Sequence, residues 1–219
     1  MTSSGRIRLI QKAVLFLVLA LFCLFLYTFL HEGGHALAGA LAGAKLTGFN
    51  INFLDFSAHV SLTGELSRSE KAVNAAAGVG LPLAVWLAFI LAVPKRTNFA
   101  LECIKLAGTM MFLSTLLAWV ILPLVYVSGE FPSDDVTDFL IHSGAAPLGV
   151  TVAALGAYAG GWLLFVRKID GLRHEAGQLR GPQAELFDPE VRATLWICLG
   201  IVLAGLLITF AANGFRLTG

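Results

Sequence analysis

The string AVLFLVLALFCLFLYTFL runs from Ala13 to Leu30 and is followed without a break by His31-Glu32-Gly33-Gly34-His35. A bilayer-spanning helix needs about 20 mostly apolar residues. A lone strand in lipid would leave its backbone N–H and C=O groups unpaired, so a helix is the expected form. The small-residue tract that follows allows this helix to extend towards position 44. The apolar core of a secretory signal is typically about 7–15 residues, and this run is longer, so it reads as a lasting span.

Outward from this stretch, further apolar runs cover 73–93, 106–127, 145–166 and 193–212. Composition points the same way: 57% of residues are hydrophobic and 13% charged, against roughly 45–50% and about 25% in soluble domains. So few charges cannot clothe a water-facing surface. The expected fold class is an all-α polytopic membrane protein with about five transmembrane helices, forming a single membrane-embedded domain over 1–219. That excludes a cytosolic enzyme, a secreted disulfide scaffold and a disordered tail. A net charge of +1 without a Lys/Arg-dense block gives no reason to expect a nucleic-acid partner; the lipid bilayer is the expected surrounding. With the N-terminus inside, inner segments carry eleven Lys and Arg and outer ones four, a bias towards N-in, C-out in a cell membrane.

Cys23, Cys103 and Cys198 lie far apart in the chain without metal-ligand spacing, and read as small buried apolar residues. Gly39/Gly43 and Gly156/Gly160, each spaced by four, are expected at close helix contacts. Between the first two spans, Phe56, Ala58, Val60 and Leu62 alternate with Ser57, His59, Ser61 and Thr63. This period of two predicts a β-hairpin over 48–64. Its apolar residues, Phe56, Ala58 and Val60 among them, form either a loop cap or an edge offered to an extended peptide. The segment 167–192, with Gly171, Gly177, Gly181, Pro182 and Pro189, reads as a polar connecting loop.

His31-Glu32-Gly33-Gly34-His35 is an HExxH pattern. On a helix, residues four apart share a face, so both imidazoles can bind one metal ion. Zinc suits imidazole and keeps an open water position when three protein ligands hold it. Glu32 lies about 100° round the helix, where it can take a proton from that water. With this composition, chance supplies roughly 0.004 such patterns in the chain, so accident is a poor explanation. Polar groups at membrane depth are costly, which again points to a site. Gly33 and Gly34 leave a bare face that serves either ordinary helix packing or close approach of a substrate backbone.

A third ligand is required. The acidic cluster Phe131-Pro132-Ser133-Asp134-Asp135-Val136-Thr137-Asp138 supplies carboxylates at the edge of an apolar run. Asp135 stands first, then Asp134, then Asp138, with His142 a weaker addition on the same helical face. The same residues suit a helix start, with Ser133 as N-cap and the aspartates in the first turn. His59 and His174 read as ordinary loop histidines.

HEGGH in an early span, a hairpin after it, a glycine-rich second span reading NAAAGVGLP over 74–82, and a later Asp resemble the site-2 protease family of zinc intramembrane metallopeptidases, in its small bacterial branch. The resemblance covers about residues 20 to 145. It implies one Zn2+ held by His31, His35 and a downstream Asp, with Glu32 as general base, and a membrane-protein substrate with a transmembrane segment. Pro132-Ser133-Asp134-Asp135 stands where the family usually has Asn-Pro-Asp-Gly. The expected function is a zinc-dependent intramembrane endopeptidase. The alternative is a catalytically inactive membrane scaffold that retains a metal site. A metal transporter would need more intramembrane carboxylates or histidines than the later spans contain.

Overall fold

A computed structural model describes residues 3–51, 58–95, 97–169 and 189–213. In chain order these form helix α1 (Ser3–Leu41), strands β1 (Lys45–Asn50) and β2 (His59–Thr63), and helices α2 (Arg68–Ala92), α3 (Phe99–Val127), α4 (Asp135–Ser143), α5 (Pro147–Lys168) and α6 (Pro189–Ala212). Five of these helices, all but α4, are long and apolar enough to cross a membrane. The chain is therefore a multi-pass helical membrane protein with a small two-stranded sheet after its first helix.

Local sequence explains the boundaries. α1 runs unbroken through HEGGH despite its two glycines, and the chain then reverses at Gly43, whose φ of 86° is open to glycine at little cost. Ser67 and Glu70 form a reciprocal capping box at the start of α2: the Glu70 carboxylate accepts from the Ser67 N–H at 2.7 Å, and the Ser67 hydroxyl accepts from the Glu70 N–H. Asn98 caps α3 by accepting from the Leu101 N–H at 3.0 Å, so this helix begins at Phe99, ahead of its apolar run. Pro82 and Pro123 lie inside α2 and α3, where neighbouring helices make such breaks tolerable.

Three apolar clusters hold the bundle. At one end Leu15, Leu19, Phe22 and Cys23 of α1 meet Ala100, Cys103 and Ala107 of α3 and Val191 and Cys198 of α6. The three cysteines, distant in sequence, are all buried in this one cluster. In the middle, Val79, Trp86 and Ile90 of α2 pack on Phe112, Leu113 and Leu116 of α3 and Phe165 of α5. The third cluster seats the sheet: Phe49 and Ile51 pack on Phe25, with Phe29, Ala36, Val60 and Val202 around them.

Several expectations need correction. The sheet begins at Lys45, three residues before the expected start at 48, and pairs Phe49 with Val60 across a bulge between Leu46 and Gly48. Residues 52–57, including Phe56, and most of the polar loop, including His174, lie outside the described residues. Among the described residues Gly156 and Gly160 have no neighbour where a side chain would sit; Gly161 is the glycine pressed against Leu113 of α3. Gly39 makes room for Leu62 of β2 rather than for a helix, and Gly43 serves the turn. His59 opens β2 rather than lying in a loop.

Candidate metal centre

Because α1 continues through the motif, His31 and His35 stack one turn apart, with ring centroids 4.9 Å and Nε2 atoms 3.4 Å apart. α4 brings Asp135 to the same point. Its Oδ2 lies 3.2 Å from the Nε2 of His31 and 3.2 Å from that of His35. Three ligand atoms thus form a nearly equilateral triangle. At metal–ligand bonds of about 2.0–2.1 Å, the ligands of a tetrahedral ion lie about 3.3–3.4 Å apart. The triangle fits such an ion, with its fourth corner left for water. Among the described residues this is the one such group of three His, Cys, Asp or Glu side chains.

Each ligand is held from behind. His35 Nδ1 lies 2.9 Å from the backbone carbonyl of Asn74 on α2, and the Asn74 amide donates back to the His35 carbonyl at 2.7 Å. A carbonyl only accepts, so Nδ1 carries the proton and Nε2 presents its lone pair. His31 Nδ1 lies 3.2 Å from the Tyr27 hydroxyl, one turn back on α1. Two glycines let α2 close on this face. A side chain at Gly34 would overlap the Ala77 carbonyl, and one at Gly78 would overlap the His35 imidazole and press on that of His31. Gly34 therefore serves helix packing.

α4 is anchored at both ends. Asp134, not Ser133, is its N-cap: it adopts the extended backbone that a cap requires, and its carboxylate accepts from the N–H groups of Val136 at 2.7 Å and Thr137 at 2.9 Å. It also accepts from the Thr137 hydroxyl at 3.1 Å. Asp134 is thereby turned into its own helix and stands apart from the histidines. At the far end Gly144 closes the helix with φ 70°, and Arg68 of α2 donates to the carbonyls of Ile141 at 2.9 Å and His142 at 3.0 Å. Val136, Thr137 and Leu140 face inward, Asp138 is exposed, and neither Asp138 nor His142 joins the ligand triangle.

Glu32 is buried, 7% exposed, and close enough to His31, His35 and Asp135 to feel their charge. Burial pushes the Asp135 carboxyl up, but in the metal-free chain His31 and His35, when protonated at both ring nitrogens, donate to it through Nε2 and hold it well below the usual carboxylate range; the neutral rings present lone pairs there instead. A mostly apolar groove of about 1380 Å³ runs between Gly34 and Leu37 of α1, Ala77 and Leu81 of α2, and Phe139 and His142 of α4, and none of His31, Glu32, His35 and Asp135 lines it.

The hairpin lies against α1. Ala58 and Val60 are half-buried, and Val60 packs into the Phe25–Phe49–Ile51 cluster. The outer edge of β1 is occupied at Phe49, whose N–H donates to the Asn213 side chain at 3.0 Å and whose carbonyl accepts from it at 2.7 Å. Among the described residues no strand pairs with the other edge of β2.

Sequence reasoning missed Tyr27, Asn74 and Arg68. Tyr27 was readable, since a polar side chain four residues before a ligand shares its helical face. Asn74 and Arg68 act on other helices, and nothing in the linear order signals that. A family model described as Peptidase M50B-like matches residues 8–129, more than half the chain. That segment holds His31, Glu32 and His35 and ends before Asp135. No curated protein and no solved structure gives a significant match.

Proposed function

The chain belongs to the Peptidase M50B-like family, and from that premise we propose that it is a zinc-dependent intramembrane endopeptidase acting on membrane proteins with a transmembrane segment. The observation that carries this reading is the triangle of His31 Nε2, His35 Nε2 and Asp135 Oδ2, with sides of 3.2, 3.2 and 3.4 Å. His31, His35 and Asp135 would hold the ion. A zinc ion in such a site supplies a Lewis acid and lowers the pKa of its water towards about 7.

Glu32 takes a proton from the attacking water as the new C–O bond forms at the scissile carbonyl. It then delivers that proton to the amide nitrogen as the C–N bond breaks. Burial excludes bulk water from this exchange. The substrate must expose its scissile carbonyl, which a helix hides in its own hydrogen bonds. Two features support an extended substrate. Phe49 turns its polar backbone groups outward to Asn213, so Val60, paired opposite it, turns its own to the other edge of β2. The apolar groove between α1, α2 and α4 suits the membrane-embedded remainder of the same substrate. Ala58 and Val60 are then backbone-pairing residues. The charge bias of the connecting segments supports a cell-membrane orientation with the N-terminus on the cytoplasmic side and the C-terminus outside.

The test is bound metal in purified protein together with cleavage of single-span substrates by wild type and Glu32→Gln. The expected result is one zinc per chain in both and cleavage about 10²–10⁴-fold slower in the variant. Equal cleavage would remove Glu32 from the mechanism. Zinc without cleavage in wild type would favour a metal-holding scaffold.

A further inference from the structure

Asn213 immediately follows α6 and reaches the sheet. Its side-chain amide accepts from the Phe49 N–H at 3.0 Å and donates to the Phe49 carbonyl at 2.7 Å. A carbonyl only accepts and an N–H only donates, so these two bonds fix which way the Asn213 amide points. One bond given and one taken by the same residue is what an antiparallel neighbour supplies at a hydrogen-bonded pair. A carboxamide is a peptide group on a short stem, so Asn213 stands in for one residue of a third strand.

The stand-in is carried rigidly. The Asn213 N–H still bonds the Thr209 carbonyl at 3.1 Å, which continues the helical pattern past Ala212. About two turns earlier, a side chain at Gly205 would overlap the Phe25 ring, so glycine there lets α6 close on α1. Val202 and Ala212 of α6 join the cluster that seats Phe49 and Ile51.

The two edges of the sheet are therefore unlike. On β1 the outward N–H and C=O of Phe49 are satisfied. On β2 those of Val60, its partner across the ladder, face an edge where no strand pairs among the described residues. An open edge is a template for any extended chain, and two open edges would accept a substrate on either side. We propose that Asn213 is a positioning residue that fills the β1 edge and so directs an extended substrate segment to β2. This rests on the strand-pairing reading above.

The experiment asks which strand a substrate adjoins. Neighbouring strands lie about 4.8 Å apart and the next one twice as far, whereas a disulfide needs Cβ atoms about 3.5–4.5 Å apart. A bridge therefore reports the adjacent strand alone. The probe is a single-span substrate with one cysteine placed in turn along the segment flanking its span. It is added under mild oxidation to the full chain carrying Thr47→Cys on β1 or Ser61→Cys on β2; the three native cysteines are buried. With Asn213 in place the bridge should form through Ser61→Cys and not through Thr47→Cys. Asn213→Ala should let it form through both.

Kinetics give a second readout. Substrate held on the wrong edge is withheld from cleavage, which lowers kcat and KM by the same factor and leaves kcat/KM unchanged. Two equivalent edges make that factor about two. Thr47→Pro puts a residue without an N–H at the bulge of β1, where proline blocks pairing by another route. Added to Asn213→Ala, it should bring both constants back. Zinc affinity by chelator competition should hold at the wild-type value throughout.

Bridging through Thr47→Cys with Asn213 in place, no bridging there in Asn213→Ala, or a fall in kcat/KM in Asn213→Ala overturns the proposal. A wild type that cleaves while bridging to neither strand overturns the strand-pairing reading and the proposal together. A wild type that bridges through Ser61→Cys alone and cuts nothing supports the closed edge and overturns the peptidase reading.

Discussion

Two ends of the same bundle bury polar side chains, and they do so in opposite ways. At one end Lys105 and Glu102 of α3 are 0% and 1% exposed and 2.8 Å apart. The Lys105 ammonium also meets the carbonyls of Pro94 at 2.8 Å, Lys95 at 3.1 Å and Lys168 at 3.3 Å. Lys168 donates to Leu91 and Val93, and Thr97 donates to Glu102. The helix C-termini of α2 and α5, with their unpaired carbonyls and negative dipole ends, converge on two lysines. Glu102 Oε2 alone among the atoms of this cluster is buried without a hydrogen-bond partner among the described residues. At the other end the side chains of His31, His35 and Asp135 are 25%, 11% and 33% exposed. There two lone pairs and an anion face one another, and the donors behind them are already committed. In the first cluster the chain itself supplies the cation and one carboxylate oxygen is left over; in the second, three possible ligand atoms converge on one point with no Lys or Arg among them. Burial of charge by itself therefore does not mark a site; the convergence of three ligand atoms without a cationic side chain is what sets the second end apart.

The comparison breaks most sharply if Asp135 is altered. Asp135→Asn removes the anion and leaves the two imidazoles in place. Zinc affinity should fall by more than about 100-fold, beyond the effect of losing an outer hydrogen-bond partner, and cleavage should fall with it. Thermal stability of the metal-free protein should change little, because α4 keeps its cap, its buried face and the Arg68 bonds. Chelator competition and melting of the metal-free protein separate the two effects. A large loss of stability without a loss of affinity would make this end a scaffold like the other.

The mirror experiment is Lys105→Met. Breaking a buried pair by removing one partner costs about 3–5 kcal/mol, because the other charge stays behind. Unfolding in mixed micelles should show that loss, while zinc affinity of the folded fraction stays at the wild-type value. Replacing both partners, as Glu102→Leu with Lys105→Met, should recover most of the stability, since no charge is left stranded. A fall in zinc affinity in the folded single variant would mean that the two ends are coupled.

The sequence made one of these ends legible and hid the other. Period and apolar length gave five spans and a hairpin, because lipid permits few other solutions. HEGGH was legible because its members are neighbours on one helix, and the structure keeps that helix continuous. Among three aspartates the sequence put Asp135 first, with Asp134 close behind; separating the two depends on which residue caps α4, a matter of one backbone conformation. Tyr27 could have been found by counting back one turn; Asn74 could not, because it acts across a helix contact 39 residues away. The Lys105 cluster stayed hidden because most of its acceptors are backbone carbonyls, which every residue has. Glycine spacing misled for a related reason: Gly156 and Gly160 present a smooth face that no described neighbour uses, whereas Gly161 meets Leu113.

The smallest expected effect tests the boundary between ligand and scaffold within two adjacent residues. Asp134 and Asp135 have the same chemistry, yet Asp134 spends its oxygens on Val136 and Thr137, while Asp135 turns one towards the histidines. Replacing an N-cap aspartate with alanine costs about 0.5–2 kcal/mol of helix stability. Asp134→Ala should therefore lower stability by about 1 kcal/mol and weaken zinc binding only as far as fraying of α4 loosens Asp135. Asp134→Ser and Asp134→Asn, which still cap, should restore both. A carboxylate acting as ligand would behave otherwise, because neither serine nor asparagine replaces its negative charge. Zinc affinity that stays low in Asp134→Asn while stability returns would move the third ligand from Asp135 to Asp134, and the cap geometry seen here would then belong to the metal-free chain alone.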